Sequence, residues 1–406
     1  MTTPIPPLSA PFPVPDYAGG SLLNLTSSIV RALGGRSPYP ECRLLRAAAL
    51  RPFRRIVLLL VDGLGESQLA DYLSTPAARR SPFLAVHPRH VIDTVAPATT
   101  ASVVTTVSTG AAPAAHGILG WHLHLPDLGL DATPLPYVTR VGAPLAPPDF
   151  PLSRYLAIPA PLATTRARRW LLSAHGIPSS PLSLAQPWWH ERIAYDTLPG
   201  LVRALRAFAA APSRQRDFAY AYWPHYDSVC HAAGPRSRAA RAHLAEIDAA
   251  LARAAAALAL SGALLLVTAD HGLVPVRRTI RLARIPGFLS TLATLPSGDA
   301  RCTHFFVRPS RVPDFLSAFR KPPLADAGTL VTGADYLSSG MLGPRNRRAH
   351  PALSGRVGDY VFLAAPGVIL QASPPHDPST FRPKGHHSGL TPEETRIPLF
   401  VVPPPP

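Results

Sequence analysis

The sequence predicts an α/β protein in which a mostly parallel central sheet carries helices on both faces. Two observations support this fold class. Continuous apolar runs of strand length alternate with amphipathic runs of helix length, and polar residues suited to chemistry directly follow several of the apolar runs. Such apolar runs are typical of strands buried on both faces of a parallel sheet, which binds ligands at the carboxyl ends of its strands.

The core pattern begins at residue 54, after a proline-rich lead-in over residues 1–53. Apolar runs bounded by Gly, Asp and Pro predict strands, and amphipathic or Ala-rich runs predict helices. In chain order, we predict strands over residues 54–62, 91–95, 217–223 and 263–268. We predict helices over residues 66–73, 98–108, 165–175 and 237–260.

The pattern changes to short elements and basic loops between residues 276 and 350, with a strand over 303–309 and a helix over 312–319. The core pattern then resumes with residues 360–363 and 395–402. We therefore predict a catalytic core over residues 54–275 and 351–402, an inserted subdomain over residues 276–350 and a proline tail over residues 403–406.

Composition limits the possible functions of the 406-residue chain. Hydrophobic residues make up 47% and charged residues 16%, which excludes wholesale disorder despite the 50 prolines. Forty Lys and Arg against 24 Asp and Glu give a net charge of +16, which favours anionic substrates. The arginines are dispersed through Ala- and Leu-rich segments without interleaved aromatic residues, so we do not predict a nucleic-acid-binding face.

The cysteines and the amino terminus bear on the compartment. Cys42, Cys230 and Cys302 form an odd set without metal-like spacing, so the simplest interpretation is a reducing compartment. Residues 1–17 lack the basic and apolar regions of a secretory signal, and the apolar run over residues 254–269 is too short to span a membrane. The sequence therefore predicts a cytoplasmic protein without a membrane partner.

Two Asp and His pairs follow predicted strands. Asp227 and His231 are four residues apart, so on a helical turn they share one face and can bind a divalent metal, although such a pair alone is more often an ordinary polar turn. Asp270 and His271 leave the tip of a buried strand together, which suits a ligand pair. The alternative is an aspartate cap beside a surface histidine.

Further candidate ligands lie at both ends of the core. Asp62 directly follows the first strand, where it points into the crevice at the strand ends or caps the following helix. His386 and His387 lie in a Gly-rich loop near the carboxyl end and add an imidazole, or form an exposed pair. The site interpretation is favoured because all these groups follow strand ends or lie in loops, where catalytic residues of α/β proteins lie.

Thr99 and Thr100 stand at the start of a predicted helix, where free backbone N–H groups and the macrodipole favour an anion. A hydroxyl there, next to a metal that lowers its pKa, is a candidate nucleophile. A threonine at a helix start is more often an N-cap. The surrounding metal ligands make the nucleophile the preferred interpretation.

Six ordered segments resemble the alkaline phosphatase superfamily, and within it the nucleotide pyrophosphatase/phosphodiesterase branch. They are VLLLVDGLG at 57–65, APATTASVVTTVSTG at 96–110, HGILGW at 116–121, DSVCHAAGP at 227–235, TADHGL at 268–273 and GHHSGLTPEE at 385–394. The resemblance covers residues from about 54 to 402 in the expected order. It implies an alkaline-phosphatase-like three-layer sandwich.

The resemblance also implies two divalent cations at the carboxyl edge of the sheet, zinc or, as the alternative, manganese. It identifies Thr100, rather than Thr99, as a nucleophile that forms a covalent phosphoryl or nucleotidyl intermediate. It prefers His387 to His386 because the family-like S-G-L-T segment follows His387. The implied ligands are Asp227, His231 and His387 for one metal, and Asp62, Asp270 and His271 for the other.

The sequence thus predicts a two-metal phosphohydrolase, a phosphodiesterase or nucleotide pyrophosphatase, that acts on a small phosphate ester or nucleotide. A phosphomonoesterase of the same fold and a non-catalytic, metal-stabilised anion-binding protein are the alternatives. No C-x-P-S-R-like sulfatase segment is present, and the serine-using cofactor-independent phosphoglycerate mutases fit poorly.

The chain departs from the family pattern at two places. Many diesterases carry asparagine at the end of the HGI-x-x-N segment, where this chain has Trp121, and the T-x-P-N pattern is missing because Thr100 is followed by Ala101, Ser102 and Val103. The substrate-binding residues are not predicted. For Trp188 and Trp189, buried packing is favoured over stacking on a nucleobase.

Overall fold

The computed structural model describes residues 13–145, 160–372 and 382–405. Within these ranges, the strands are β1 Arg55–Val61, β2 Arg89–Asp93, β3 Leu123–Leu125, β4 Leu130–Thr133, β5 Val138–Thr139, β6 Arg168–Ala174, β7 Glu191–Tyr195, β8 Asp217–Trp223, β9 Leu264–Thr268, β10 Val274–Pro275, β11 Arg278–Arg281, β12 Ser297–Gly298, β13 Cys302–Phe305, β14 Gly328–Thr332, β15 Tyr360–Ala364, β16 Val368–Gln371, β17 Gly385–His386 and β18 Arg396–Val402.

The α-helices of the same ranges are α1 Leu22–Ala32, α2 Ala47–Leu50, α3 Glu66–Leu73, α4 Thr100–Thr109, α5 Pro113–His116, α6 Pro181–Leu184, α7 Leu198–Ala210, α8 His225–Ala233, α9 Arg238–Ala259, α10 Val312–Ala318, α11 Gly333–Ser338, α12 Leu353–Val357 and α13 Pro392–Thr395. The predicted strands and helices that lead to the motifs are confirmed within two residues. None of the described helices has both the length and the apolar character needed to cross a membrane.

A seven-stranded sheet forms the centre of the molecule, in the order β2-β18-β9-β1-β8-β6-β7. The five strands from β9 to β7 are parallel to one another, and β18 runs antiparallel to both β9 and β2. The predicted α/β class with a mostly parallel central sheet is therefore confirmed.

The apolar runs become the middle of this sheet. In β1, all six residues from Ile56 to Val61 are buried, because β8 and β9 flank the strand on either side and its two faces are covered. The register pairs Val61 with Trp223, and Leu60 with Thr268. The three strands therefore end side by side, which brings the residues after them to one edge of the sheet.

The helix predicted over residues 165–175 is wrong. Residues Arg168–Ala174 form β6, which pairs in parallel with β7 on one side and β8 on the other. Trp170, Leu171 and Leu172 are buried in the sheet. Pairing with two strands and burial outweigh the weak helix propensity of this segment. A local sequence pattern does not reveal that pairing.

The segment after β9 carries smaller sheets, including a four-stranded sheet in the order β12-β13-β15-β14. The sequence pattern assigned residues 360–363 to the core, but β15 pairs antiparallel with β13 and β14 of the predicted insertion. This sheet has its own apolar core, in which the rings of Phe288, Phe305 and Phe315 contact one another. The exact domain boundaries stay a prediction.

Candidate active site

The structure brings all six predicted metal ligands together at the carboxyl edge of the central sheet. They lie in the turns after β1 and β9, in helix α8 after β8, and in the loop after β17. Oδ1 of Asp62 and Oδ2 of Asp270 each lie 3.4 Å from Nε2 of His271. The imidazoles of His271 and His387 stack with ring centroids 3.7 Å apart.

Asp227 connects the remaining two histidines. It lies in the first turn of α8, and His231 follows one turn later on the same face, as the spacing predicts. Oδ2 of Asp227 lies 3.2 Å from Nε2 of His231, and Oδ1 lies 4.0 Å from Nε2 of His387. The carboxylate thus faces an imidazole from its own helix and another from the distant loop.

The turn after β1 depends on glycine. Gly63 has φ +77°, and a Cβ there would lie 2.8 Å from the side chain of Leu273 and 3.1 Å from the Cα of Asp227. Its N–H donates a 2.9 Å hydrogen bond to Oδ1 of Asp270. The close approach of these backbones places Asp62 beside the ligands that follow β8 and β9.

Two groups of donor atoms among the described residues can each surround a cation, with atoms within 4.8 Å of one another. They are Asp227, His231 and His387, and Asp62, Asp227 and His271. The first group equals a predicted ligand set. The second contains Asp227 where the prediction has Asp270, whose Oδ1 already accepts from the N–H groups of Gly63 and His271.

Three buried carboxylate oxygens in this site accept no hydrogen bond within the described residues: Oδ1 of Asp62, Oδ1 of Asp227 and Oδ2 of Asp270. Leaving a buried carboxylate oxygen without a donor is costly, and a bound cation removes that cost. The mixture of carboxylate oxygens and imidazole nitrogens is a ligand set suited to zinc or manganese. The residues present therefore fit a pair of divalent cations.

Two of the three carboxylates, Asp62 and Asp227, have pKa values shifted in opposite directions. Burial and the neighbouring carboxylates of Asp270 and Asp227 raise the pKa of Asp62 well above its usual range, which the hydrogen bond from Tyr222 opposes. Burial also disfavours the ionised form of Asp227, but the hydrogen bond from His231 and the nearby imidazoles outweigh it and lower the pKa. Positive charge placed beside Asp62 favours its ionised form.

His387, one of the two stacked histidines, is held neutral. Burial, and then the neighbouring imidazoles of His271 and His231, hold the pKa of His387 well below its usual range. A neutral imidazole is the form that binds a metal. His386, the other member of the pair, is half-buried and belongs to neither group of donor atoms.

The two threonines have different surroundings. Thr100 is the first residue of α4, and its Oγ1 lies 3.1 Å from Nε2 of His271. Thr99 occupies the N-cap position, but its side chain caps no helix N–H and instead donates a 2.6 Å hydrogen bond to Oδ2 of Asp299. Only the Thr100 hydroxyl faces the candidate ligands.

Asp299 is a site residue that the sequence did not indicate. Its Oδ2 also accepts a 3.0 Å hydrogen bond from the backbone N–H of Trp121. Burial raises the pKa of Asp299, against the two hydrogen bonds it accepts. The one sequence feature that marks this position is the Gly-Asp turn. Gly298 has φ +79°, and a Cβ there would lie 2.4 Å from the carbonyl oxygen of Cys302. A Gly-Asp turn does not reveal that Asp299 has a distant partner.

Two cavities meet at these residues, and both are lined by Thr100, Trp121 and Asp227. The first, of about 690 Å³, extends between β6, β8 and α4 and is largely apolar, so we call it the apolar cavity. The second, of about 550 Å³, contains His231, His387, Asp299 and Arg140, and we call it the polar cavity. Trp121 is 41% exposed at their junction.

The tryptophan pair contributes to packing, as the sequence analysis favoured. Trp189 is buried and stacks near Phe218, while Trp188 donates its indole N–H to the carbonyl oxygen of Ser108 at 3.0 Å. Neither lines the apolar cavity, which is bounded instead by their neighbours Ser183 and Gln186.

Comparisons with known proteins show the family and the fold of the chain. Residues 163–389 match the family described as type I phosphodiesterase/nucleotide pyrophosphatase. An inactive variant of murine ectonucleotide pyrophosphatase/phosphodiesterase 5 in complex with AMP has a similar structure, with 17% identity, a TM-score of 0.63, and 85% of this chain and 87% of that chain covered. No curated protein matches the sequence.

A second similar structure is phosphonoacetate hydrolase from Sinorhizobium meliloti 1021 in complex with phosphonoformate. It has 17% identity and a TM-score of 0.58, with 86% of this chain and 90% of that chain covered. At such identities, these likenesses show a shared fold. The family match spans more than half of the chain and includes five of the six candidate ligands, all except Asp62. The chain therefore belongs to the type I phosphodiesterase/nucleotide pyrophosphatase family and is a hydrolase that acts on phosphoester bonds.

Proposed function

We propose that this protein is a two-metal phosphodiesterase that uses Thr100 as its nucleophile. The observation that carries the proposal is the position of the Thr100 hydroxyl, 3.1 Å from Nε2 of His271 and at the start of α4, beside the cluster of unpaired carboxylate oxygens. A hydroxyl at a helix start, among groups that can hold divalent cations, combines a nucleophile with an anion-binding surface.

In this proposal, Asp227, His231 and His387 hold one cation. Asp62 and His271 hold the other, together with a carboxylate oxygen of Asp270 or Asp227. When bound, the cations lower the pKa of the nucleophile and offset the negative charge on the phosphoryl and leaving oxygens. Their ligands come from separate strand ends, so the centre exists only in the folded protein.

The chain's own groups account for the positioning steps. The free N–H groups in the first turn of α4 bind a non-bridging phosphoryl oxygen, and the Thr99–Asp299 hydrogen bond fixes the start of that helix. Oγ of Thr100 attacks phosphorus as the bond to the leaving ester oxygen breaks, and the hydroxyl proton passes to solvent while the leaving oxygen takes one up. Water then cleaves the phosphothreonine and releases a phosphate monoester.

The two cavities favour a diester over a monoester. A diester has two substituents on phosphorus, and two cavities open from Thr100 and Asp227. The apolar cavity suits an organic substituent of nucleotide size. The AMP bound to the murine relative supports a nucleotide as one such group.

Hydrolysis of bis(p-nitrophenyl) phosphate and p-nitrophenyl phosphate, with Zn²⁺ or Mn²⁺ added after chelation, tests the proposal. We expect kcat/KM for the diester to exceed that for the monoester by about tenfold or more, since the monoester leaves one cavity unfilled. The reverse ratio indicates a phosphomonoesterase. Stable metal binding without hydrolysis of either ester indicates a non-catalytic anion-binding protein. Acid quenching and mass spectrometry of the peptide containing Thr100 test the covalent intermediate.

A further inference from the structure

A third cavity, of about 520 Å³, adjoins the polar cavity on the side of the predicted insertion. Among the described residues, three arginines and no acidic residue line it, and we call it the arginine cavity: its polar lining residues are Thr279, Arg281, Arg284, Gln371, Arg382 and His386. Gln371 and His386 also line the polar cavity. The two cavities are therefore adjacent, with these side chains in the wall between them.

The imidazole of His386 separates the arginine cavity from the candidate metal ligands. Its ring centroid lies 4.9 Å from that of His231 and 5.3 Å from that of His387. A group bound in the arginine cavity thus has the imidazole of His386 between it and the candidate ligands His231 and His387.

No acidic side chain among the described residues neutralises the positive charge of the arginine cavity. Within residues 13–145, 160–372 and 382–405, none of Arg281, Arg284 and Arg382 has a carboxylate oxygen within 4.0 Å. Other arginines in the chain do pair with acids, as Arg168 does with Asp217 at 2.8 Å. Three unpaired guanidinium groups around one cavity attract an anion and can bind its oxygens with charge-assisted hydrogen bonds.

The fold holds one of these arginines in place. In the parallel pair β11 and β16, Arg281 stands opposite Gln371, and its Nε donates a 3.1 Å hydrogen bond to Oε1 of that residue. This bond leaves the two terminal nitrogens of the guanidinium group for a ligand. Arg284, in the short 3-10 turn after β11, and Arg382, before β17, are exposed at the mouth of the cavity.

We propose that the arginine cavity binds a phosphate or carboxylate group that lies beyond the scissile phosphoryl group. The proposal rests on the proposed function, because it takes Thr100 as the reacting centre. One substituent of the diester fills the apolar cavity, and the other extends through the polar cavity and past His386. Substrates whose second substituent carries an anionic group are therefore preferred to those with an uncharged one.

The test compares diadenosine tetraphosphate, which carries further phosphates, with bis(p-nitrophenyl) phosphate, which carries none. In the double variant Arg284→Gln/Arg382→Gln, we expect the ratio of kcat/KM for the charged substrate to that for the uncharged one to fall about tenfold, because two charge-assisted contacts at an exposed mouth are lost. The control Arg206→Gln/Arg253→Gln removes two exposed arginines from α7 and α9, which line none of the three cavities, and keeps the ratio unchanged.

The same anion chemistry can come from a free anion. In that case, inorganic pyrophosphate changes the KM for bis(p-nitrophenyl) phosphate in the wild type and the control but less in Arg284→Gln/Arg382→Gln, and the substrate ratio stays constant. Equal ratios and equal pyrophosphate responses in all three proteins overturn the proposal. If the wild type does not hydrolyse the diester, the proposed function fails instead. Calorimetric titration of the three metal-free proteins with pyrophosphate then tests anion binding in the arginine cavity by itself. Equal affinities in the wild type, the control and Arg284→Gln/Arg382→Gln exclude anion binding there.

Discussion

Thr99 donates a 2.6 Å hydrogen bond to Oδ2 of Asp299, a residue 200 positions further along the chain. The same oxygen accepts the backbone N–H of Trp121. This contact turns the Thr99 hydroxyl away from the candidate ligands, whereas Oγ1 of Thr100 lies 3.1 Å from Nε2 of His271. Under the proposed function, these two adjacent threonines at the start of one helix have different tasks, one structural and one chemical.

The first prediction separates these tasks. Thr100→Ala removes the proposed nucleophile, so we expect kcat for bis(p-nitrophenyl) phosphate to fall by about a thousandfold or more, with the metal content unchanged. Thr99→Val keeps the nucleophile and loses only the hydrogen bond to Asp299, for which we expect a loss of about tenfold. Steady-state kinetics and metal analysis of both proteins check the prediction. Near-normal turnover in Thr100→Ala would contradict the assignment.

The second prediction concerns the adjacent histidines. His387 belongs to a group of donor atoms with Asp227 and His231, whereas His386 does not. We therefore expect His387→Gln to bind about one metal ion fewer per chain than the wild type, and His386→Gln to keep the wild-type number. Inductively coupled plasma mass spectrometry after gel filtration measures both. Equal metal loss in the two variants would show that the loop, and not one imidazole, is what the metal requires.

The third prediction concerns Trp121, which stands between the apolar and polar cavities. Its backbone N–H, and not its indole, donates to Asp299, so Trp121→Ala keeps that hydrogen bond. The variant loses an aromatic surface, for which we expect KM for bis(p-nitrophenyl) phosphate to rise about threefold to tenfold with kcat changed by less than about twofold. Trp121→Phe is the matched control and retains most of the affinity. A large fall in kcat for both variants would instead place the indole in the chemical step.

Local pattern was sufficient to locate the strands that carry the ligands. The segments before Asp62, Asp227 and Asp270 are continuous apolar runs, and burial on both faces of a sheet requires that pattern. Adjacent strand ends then follow from the parallel order. For this reason, the three aspartates that the structure brings together at this edge were all named from the sequence.

The sequence analysis missed features that depend on partners far away in the sequence. Residues 168–174 have apolar and basic side chains that suit a helix or a strand, and only the neighbours β7 and β8 decide for the strand. Asp299 is equally hidden, because its partner Thr99 is 200 residues away. The arginines of the arginine cavity come from two distant segments, with Arg281 and Arg284 at the end of β11 and Arg382 before β17, so the three meet only in the folded chain.

Arg301 and Glu394 form a fully buried ion pair that joins two loops of the site. Nε and Nη2 of Arg301 donate to the two carboxylate oxygens at 2.6 and 2.9 Å. Arg301 is two residues from Asp299, and Glu394 also accepts the N–H of Gly389, two residues after His387. Burial disfavours the charge of Glu394, but the Arg301 guanidinium and the hydrogen bonds outweigh it and lower the pKa.

The fourth prediction follows from this pair. Glu394→Gln leaves a buried guanidinium without its counter-charge, so we expect the free energy of unfolding at pH 7 to fall by about 3–5 kcal/mol. Because the pKa of Glu394 is lower in the folded than in the unfolded protein, the pair stabilises the fold above the unfolded pKa of about 4.3 and loses this effect as the pH falls through the folded value.

The difference in unfolding free energy between the wild type and Glu394→Gln must therefore shrink below about pH 4, which urea denaturation between pH 3 and 7 measures. Asp326→Asn, which breaks the exposed pair with Arg278, is the matched control and leaves the unfolding free energy within experimental error, since solvent screens that pair. A difference between the wild type and Glu394→Gln that stays constant with pH would show that the carboxylate acts through its shape and hydrogen bonds. Its charge would then have no part in holding the loops of Asp299 and His387 together.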